Sequence, residues 1–461
     1  MSADTATTNM MEACSSGDLA AVLSILDDAF DDGADTPGGE YAAATTADHN
    51  DDGNDDAVDY VKNGIDDDDD DRLHLERTLP PPPPPHPPNE KPPTTRLLGT
   101  RRHLLASAQD ATTGLSPLMV ASRAGHIEIC RALLNAGAPW NALDRMGMCA
   151  GDHAVAGEWW DVVDLLVDVG TRSELILGAS IRLSRSIGGG SARTDADFDT
   201  TTSSGSECTT MTTTTASTTS TEAIPVSHEP STKPSYLNHS NVRYDASCTL
   251  LLDDDDDAVM MEWERPIMEA HASVLTHGGR RGMRVLNVGF GLGIVDAALQ
   301  AHGPSMHVII EAHPTVHAKM IADGWDKRDN VRICYGRWQE EMPKLIAEGA
   351  KFDGIFYDTY GEHFTDLEDF HDAMSKVLDV PNGVYSFFNG LAPDNLFFHG
   401  VACSCIKAQL SHMGLDAEFA QCEISSNAAG ADETWEGVRR RYWHGRSTYY
   451  LPVITWKKKE D

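Results

Sequence analysis

The densest group of residues able to do chemistry is Asn287-Val-Gly289-Phe290-Gly291-Leu292-Gly293-Ile294. Glycines at alternate positions let the chain turn sharply and let a ligand approach the N-terminus of a following helix, where free N–H groups favour polar oxygens. The spacing is GxGxG, with Ile294 where the dinucleotide fingerprint GxGxxG has its third glycine. That pattern favours S-adenosylmethionine over a nicotinamide cofactor. Glu311 follows Gly289 at the separation of about 20 residues that places a ribose-binding acid in doubly wound folds. Without the loop, Glu311 would read as a solvated acid before Pro314; with it, the ribose role is favoured. His313 and His317 form an i, i+4 pair that could ligate a metal on a helix, but no third ligand stands at a useful spacing and no metal is expected. Gly336-Arg-Trp338-Gln339 offers an aromatic face and an amide suited to an adenine. Phe356-Tyr357-Asp358-Thr359-Tyr360-Gly361-Glu362-His363 places polar groups at the carboxyl end of an expected strand, where open α/β sheets bind ligands.

The elements that must hold these groups are short β-branched runs alternating with helical stretches, the signature of a parallel sheet covered by helices. The runs are Arg284–Val288, His307–Glu311, Val331–Tyr335, Phe352–Tyr357 and Gly383–Phe388. Two more, Ala417–Ile424 and Ser447–Trp456, lack a long helix between them and predict an antiparallel hairpin. The expected fold class is α/β, a Rossmann-like seven-stranded sheet of the class I methyltransferase type.

The rest of the chain is different in kind. At about 100–200 residues per domain, 461 residues predict two or three domains. Lys and Arg total 36 against 72 Asp and Glu, a net charge of −36, which disfavours bulk nucleic-acid binding. More than half of the imbalance falls in residues 1–90, whose run Asp66–Asp71 and proline run Pro80–Pro85 predict a solvated tract over 31–109. Ser, Thr and Gly dominate the stretch to residue 235 and predict a linker over 181–235, and Asp253–Asp257 reads as a further acidic insertion. The nine cysteines form no CxxC pair, and neither a signal peptide nor an 18-residue apolar run is visible; a reducing, intracellular setting and no membrane are expected. Gly114-Leu-Ser-Pro-Leu-Met-Val-Ala121-Ser-Arg-Ala-Gly125-His126, with Leu133-Leu134 and Gly137-Ala138, resembles an ankyrin repeat, whose period is about 33 residues. Its landmarks recur as Gly147, Ala154, Leu166 and Gly170, giving ankyrin repeats over 110–180, and residues 11–30 look like the helical half of an earlier repeat in a partial unit over 1–30. So few repeats bury little surface alone, and two roles stay open: a protein-binding arm, or a cap on the domain at 236–461.

In that last domain Val259-Met260-Met261-Glu262-Trp263-Glu264-Arg265-Pro266-Ile267-Met268, the glycine loop, Tyr357-Asp358-Thr359-Tyr360 and Tyr449-Tyr450-Leu451-Pro452-Val453-Ile454-Thr455 resemble guanidinoacetate N-methyltransferase. With ankyrin repeats ahead of it, the chain is more similar still to the type IV protein arginine N-methyltransferases of fungi. The resemblance implies transfer of a methyl group from S-adenosyl-L-methionine to the internal δ nitrogen of an arginine in a basic protein, a ribosomal protein in that family, in cytoplasm and nucleus. It would place Tyr244, Met268, Gly289, Phe290, Gly291, Leu292, Gly293, Ile294, Glu311, Ala312, His313, Trp338, Gln339 and Asp358 around the cofactor, and would make Glu264 and Asp358 the catalytic grip on the acceptor guanidinium. Chemistry agrees with that grip. A guanidinium, with a pKa above about 12, is a poor nucleophile until carboxylates on its other N–H groups localise a lone pair on the reacting nitrogen and take up the released proton. The double-glutamate hairpin and Thr-His-Trp loop of the ordinary arginine methyltransferases are not visible. A small-molecule guanidino methyltransferase and an inactive ankyrin adaptor are the alternative readings.

Overall fold

The computed structural model describes residues 3–31, 101–188, 237, 240–360, 364–393, 395–424, 432–443 and 447–458. The acidic and proline tract from 32 to 100, the Ser/Thr tract from 189 to 235, and Gly361, Glu362 and His363 lie outside them.

Helices α1 (Ala3–Ser16), α2 (Leu19–Asp31), α3 (Arg101–Ala106), α4 (Pro117–Arg123), α5 (Ile127–Asn135), α6 (Ala150–Ala156) and α7 (Trp160–Gly188) form the N-terminal module. Their apolar faces meet in one core of Met10, Val22, Leu26, Leu105, Leu118, Ile129, Leu133 and Leu166. Ser116 starts α4 by accepting the N–H of Met119 at 3.2 Å, and Pro117 occupies the first turn, where a missing N–H costs nothing. The repeat landmarks diverge at the last of them. Gly137 lies beyond the end of α5 in left-handed backbone (φ 89°), whereas Gly170 is inside the 29-residue α7, packed under Trp140. The helix runs through both Gly170 and Gly178 and crosses the expected boundary at 181. Likewise α3 packs into this core although it falls within the tract expected to be solvated.

The C-terminal half opens with a three-stranded antiparallel sheet that the sequence pattern did not reveal: β1 (Arg243–Tyr244), β2 (Leu250–Leu252) and β3 (Ala258–Met261). Asp253–Asp257, expected as an acidic insertion, is the turn of this hairpin. Asp253 Oδ1 accepts the N–H groups of Asp255 and Asp257, each at 2.9 Å, a short local fold that Asp favours. Helix α8 (Arg265–Leu275) then leads into the main sheet.

That sheet has seven strands: β4 (Arg284–Val288), β5 (Met306–Glu311), β6 (Val331–Tyr335), β7 (Gly354–Tyr357), β8 (Val384–Phe387), β9 (Leu415–Glu423) and β10 (Thr448–Trp456), in the order 6-5-4-7-8-10-9. The first five pair in parallel; β10 runs antiparallel to β9, as the paired late runs predicted, and also to β8. Val285, Leu286, Asn287 and Val288 are all buried, as in a strand covered by helices on both faces. The order reverses between β4 and β7, so a crevice opens at their carboxyl ends. Helices α9 (Ile294–Ala301), α10 (Pro314–Ala322), α11 (Trp338–Ala347), α12 (Phe364–Met374) and α13 (Leu396–His412) complete the layers.

The two halves share a core. Phe397, Val401 and Cys405 of α13 lie in the N-terminal module's apolar cluster, and Phe397 approaches Gly151 so closely that a Cβ there would sit 2.2 Å from the ring. Asn395 donates to Asp152 at 2.8 Å, and Arg182 pairs with Glu368 at 2.8 Å. The N-terminal module therefore packs directly on the C-terminal half.

Candidate active site

The glycine loop follows β4 into the crevice. Gly289 has φ 93°, and a Cβ there would lie 1.8 Å from the carbonyl oxygen of Asp358, so only glycine lets β4 and β7 end side by side. A Cβ on Gly291 (φ 54°) would meet the Met260 sulfur at 2.6 Å, and Gly293 (φ 71°) is the left-handed cap of α9. Behind the loop, Asn287 donates to the carbonyl of Gly289 at 2.8 Å and to both carboxylate oxygens of the buried Asp296. Glu311 ends β5 with its carboxylate accepting the N–H of Phe290 (2.9 Å) and of His313 (2.6 Å). Burial raises this carboxyl, while those backbone donors oppose the shift.

The cleft over this loop is lined by Gly289, Phe290, Gly291, Glu311, Ala312, His313, Trp338, Gln339 and Asp358 among the sequence-expected residues. Trp338 stands on the wall, edge-on to Phe370 at 5.3 Å. Tyr244 reaches the loop from β1 and donates to the carbonyl of Gly291 at 2.9 Å, without lining the cleft. Leu292, Gly293 and Ile294 pass behind the wall as the loop enters α9. Met268, on α8, is fully buried in the apolar cluster that also holds Phe290 and Ile294, and does not line the cleft. Met260 of β3 lines the cleft instead, its sulfur 3.2 Å from the Leu292 N–H. His313 caps α10 by accepting the N–H of Thr315 at 3.2 Å, and His317 stacks on Tyr335 at 4.2 Å. Among the described residues no group of three His, Cys, Asp or Glu could hold a metal.

A second cavity of about 280 Å³ abuts the cleft, and the two share Val259, Asp358, Thr359 and Tyr360. Asp358 extends β7, its N–H held by the carbonyl of Val288 at 2.9 Å, so its carboxylate belongs to both spaces. Glu264 enters the second one from the turn before α8. It is 3% exposed, whereas neighbouring Glu262 takes Arg265 as its partner at the surface. The N–H of Met261 (2.9 Å) and the hydroxyl of Tyr442 both donate to Glu264 Oε1, leaving Oε2 for an incoming donor. Burial first, and then the charge of Asp358, push Glu264 up to about 8; burial pushes Asp358 up to about 7. Among the described residues neither carboxylate has an ion-pair partner. Two buried acids without a cation in a cavity walled by Phe388, Phe364 and Tyr442 form a receptor for a small planar cation. Sequence reasoning missed Met260 and Tyr442; the only local signal for Tyr442 was its place behind Arg439–Arg441.

The sheet order, the glycine loop at its switch point and the acid closing β5 define a class I S-adenosylmethionine-dependent methyltransferase. The family model for guanidinoacetate N-methyltransferase matches residues 230–427, and that for the ankyrin repeat matches 113–145. Protein arginine N-methyltransferase 2 of Emericella nidulans is 33% identical over 342 residues, 71% of this chain and 77% of that relative; the Aspergillus oryzae protein of the same name is 34% identical over 333 residues, 70% and 76% of the two chains. The Yarrowia lipolytica protein is 43% identical over 209 residues, a match that spans 44% of each chain. This chain belongs to the protein arginine N-methyltransferase 2 family. S-adenosylmethionine is its cofactor and protein arginine its acceptor class, and the cleft fits that cofactor: glycines where any side chain would collide, and a buried carboxylate beside them.

Proposed function

We propose that this chain methylates the internal δ nitrogen of an arginine in a basic protein. The observation that carries the proposal is the position of Glu264 and Asp358 in one buried cavity whose wall is also the wall of the cofactor cleft. The bound cofactor supplies an electrophilic methyl group on a sulfonium. Glu264 Oε2 and the Asp358 carboxylate are placed to bind the terminal guanidinium N–H groups, which holds the positive charge at that end and frees a lone pair on the internal nitrogen. Alignment of this kind supplies roughly 7–11 kcal/mol of a two-reactant barrier. Carboxyls raised to about 7 and about 8 suit a base that takes the released proton near neutral pH. The two acids come from different elements, one ahead of the sheet and one at the end of β7, unlike the paired glutamates of a single hairpin that hold terminal nitrogens for ω-methylation.

A ribosomal protein is the proposed substrate, with cytoplasm and nucleus as the setting; a basic, arginine-bearing partner matches the two uncompensated carboxylates. The experiment is transfer of labelled methyl from S-adenosylmethionine to ribosomal and cytosolic proteins, with the site read by fragmentation mass spectrometry. Label on δ nitrogen is expected. Label on ω nitrogens alone, or preferential transfer to guanidinoacetate, would refute the reading.

A further inference from the structure

Asp257 closes the β2–β3 turn, is only 8% exposed, and sits in a fork of two arginines. Arg439 Nε donates to its Oδ1 at 3.1 Å and Nη2 to its Oδ2; Arg440 Nε reaches the same two oxygens at 3.3 and 3.2 Å, and its Nη2 also donates to Oδ2. The backbone adds the Arg439 N–H on the carbonyl of Asp256 at 2.8 Å. Forked arginine–carboxylate contacts are strong and directional. Burial alone would raise the Asp257 carboxyl, but the two arginines hold it down at about 2, so it stays charged throughout the working pH range.

What this clamp joins is the acceptor cavity itself. On one side, β3 sends Ala258 and Val259 into that cavity and Met260 into the cofactor cleft, and the same turn takes the hydroxyl of Tyr360 on Asp253 Oδ2 at 2.7 Å. On the other side, the segment carrying Arg439 and Arg440 continues to Tyr442, the donor to Glu264 Oε1. Tyr442 is held by aromatic packing, 5.9 Å from Trp263 and 5.0 Å from Trp435, contacts that fix its plane but not its reach along the cavity.

We propose that Asp257 is a positioning residue for the acceptor arginine: it ties the 432–443 segment to the β2–β3 turn, and so keeps the Tyr442 hydroxyl on Glu264 and the free oxygen of Glu264 toward the guanidinium. This rests on Glu264 as a guanidinium ligand. The groups acting on Glu264 are Asp358, whose charge opposes its ionisation, the Tyr442 hydroxyl and the Met261 N–H, which favour it, and Tyr449, which lies within electrostatic range. Losing the Tyr442 donor therefore moves the Glu264 titration to higher pH.

The test compares Asp257→Asn, Asp257→Glu and Tyr442→Phe with wild type in steady-state methylation of an arginine peptide. Asp257→Asn is expected to raise KM for the peptide about tenfold, the loss of one hydrogen bond to a charged group, with kcat changed by less than about threefold. The acid limb of kcat/KM should move to higher pH, and calorimetric affinity for S-adenosylhomocysteine should stay within about twofold. Asp257→Glu should recover most of the KM, and Tyr442→Phe, which leaves the clamp intact, should reproduce both the KM rise and the pH shift. An unchanged KM and pH limb in Asp257→Asn overturns the proposal, as does an equal fall in kcat, peptide affinity and S-adenosylhomocysteine affinity, the mark of a merely structural role. Glu264→Gln separates the two layers. If Glu264→Gln keeps a wild-type KM, the guanidinium grip itself fails; if it is impaired while Asp257→Asn is not, only the clamp fails.

Discussion

Replacing Glu264 by glutamine keeps the shape of the side chain and removes its charge, so activity and stability should move in opposite directions. In the free protein this carboxyl is raised from its ordinary 4.5 to about 8 by burial and by Asp358. A raised folded-state value for an acid means that the protein is favoured below the unfolded value and loses that advantage as pH climbs through the folded value. Between about pH 4.5 and pH 7 the cost accumulates at about 1.4 kcal/mol per pH unit, to roughly 3 kcal/mol. Glutamine carries no such cost, so the variant should be more stable than wild type at pH 7 and above, by about 1–3 kcal/mol after its altered hydrogen bonding is allowed for, and the gap should close near pH 4.5. Transfer should suffer: removing one partner of a buried guanidinium–carboxylate contact costs about 3–5 kcal/mol, so kcat/KM for an arginine peptide should fall by roughly two to four orders of magnitude. Denaturant unfolding from pH 4.5 to 9, paired with initial rates on the same preparations, checks both halves. Parallel pH–stability curves for wild type and variant, or a kcat/KM within about threefold of wild type, would refute the reasoning.

The other predictions rest on single contacts. Gly289→Ala puts a methyl 1.8 Å from the Asp358 carbonyl in left-handed backbone, and should abolish S-adenosylhomocysteine binding in calorimetry; retained binding would mean that the loop can move away from β7. In wild type, kcat/KM for an arginine peptide should rise from pH 6 to 9, because the carboxyls at about 7 and about 8 must ionise to hold the cation; a profile flat over that range would show that they do not. Phe397→Ala should leave a cavity between α13 and the ankyrin module and cost about 3–5 kcal/mol, lowering Tm by several degrees while S-adenosylhomocysteine affinity stays unchanged. A variant with unaltered Tm would show that the module is not held through that ring.

Whatever depends on near neighbours in the chain was readable before folding. The glycine loop, Glu311 at the end of its strand and the periodicity of β4 through β10 are local patterns, and their geometry follows from backbone sterics and the two-residue repeat of a strand. Local landmarks likewise marked the ankyrin repeat at 113–145, because the turn and helix signals of one repeat lie close together in the chain. Contacts between distant segments were not readable. Met260 and Met268 are both apolar residues near one loop, and only the direction of β3 against α8 puts the first on the cleft wall and the second in the core. Asp253–Asp257 and Arg439–Arg441 each look like solvated charge runs, yet Asp257 meets its arginines across more than 180 residues of chain. Phe397 gives no sign in its own helix that it belongs to the core of another module. Tertiary structure decides these cases because burial and charge pairing are set by which surfaces come together, and that is fixed only when the whole chain has packed.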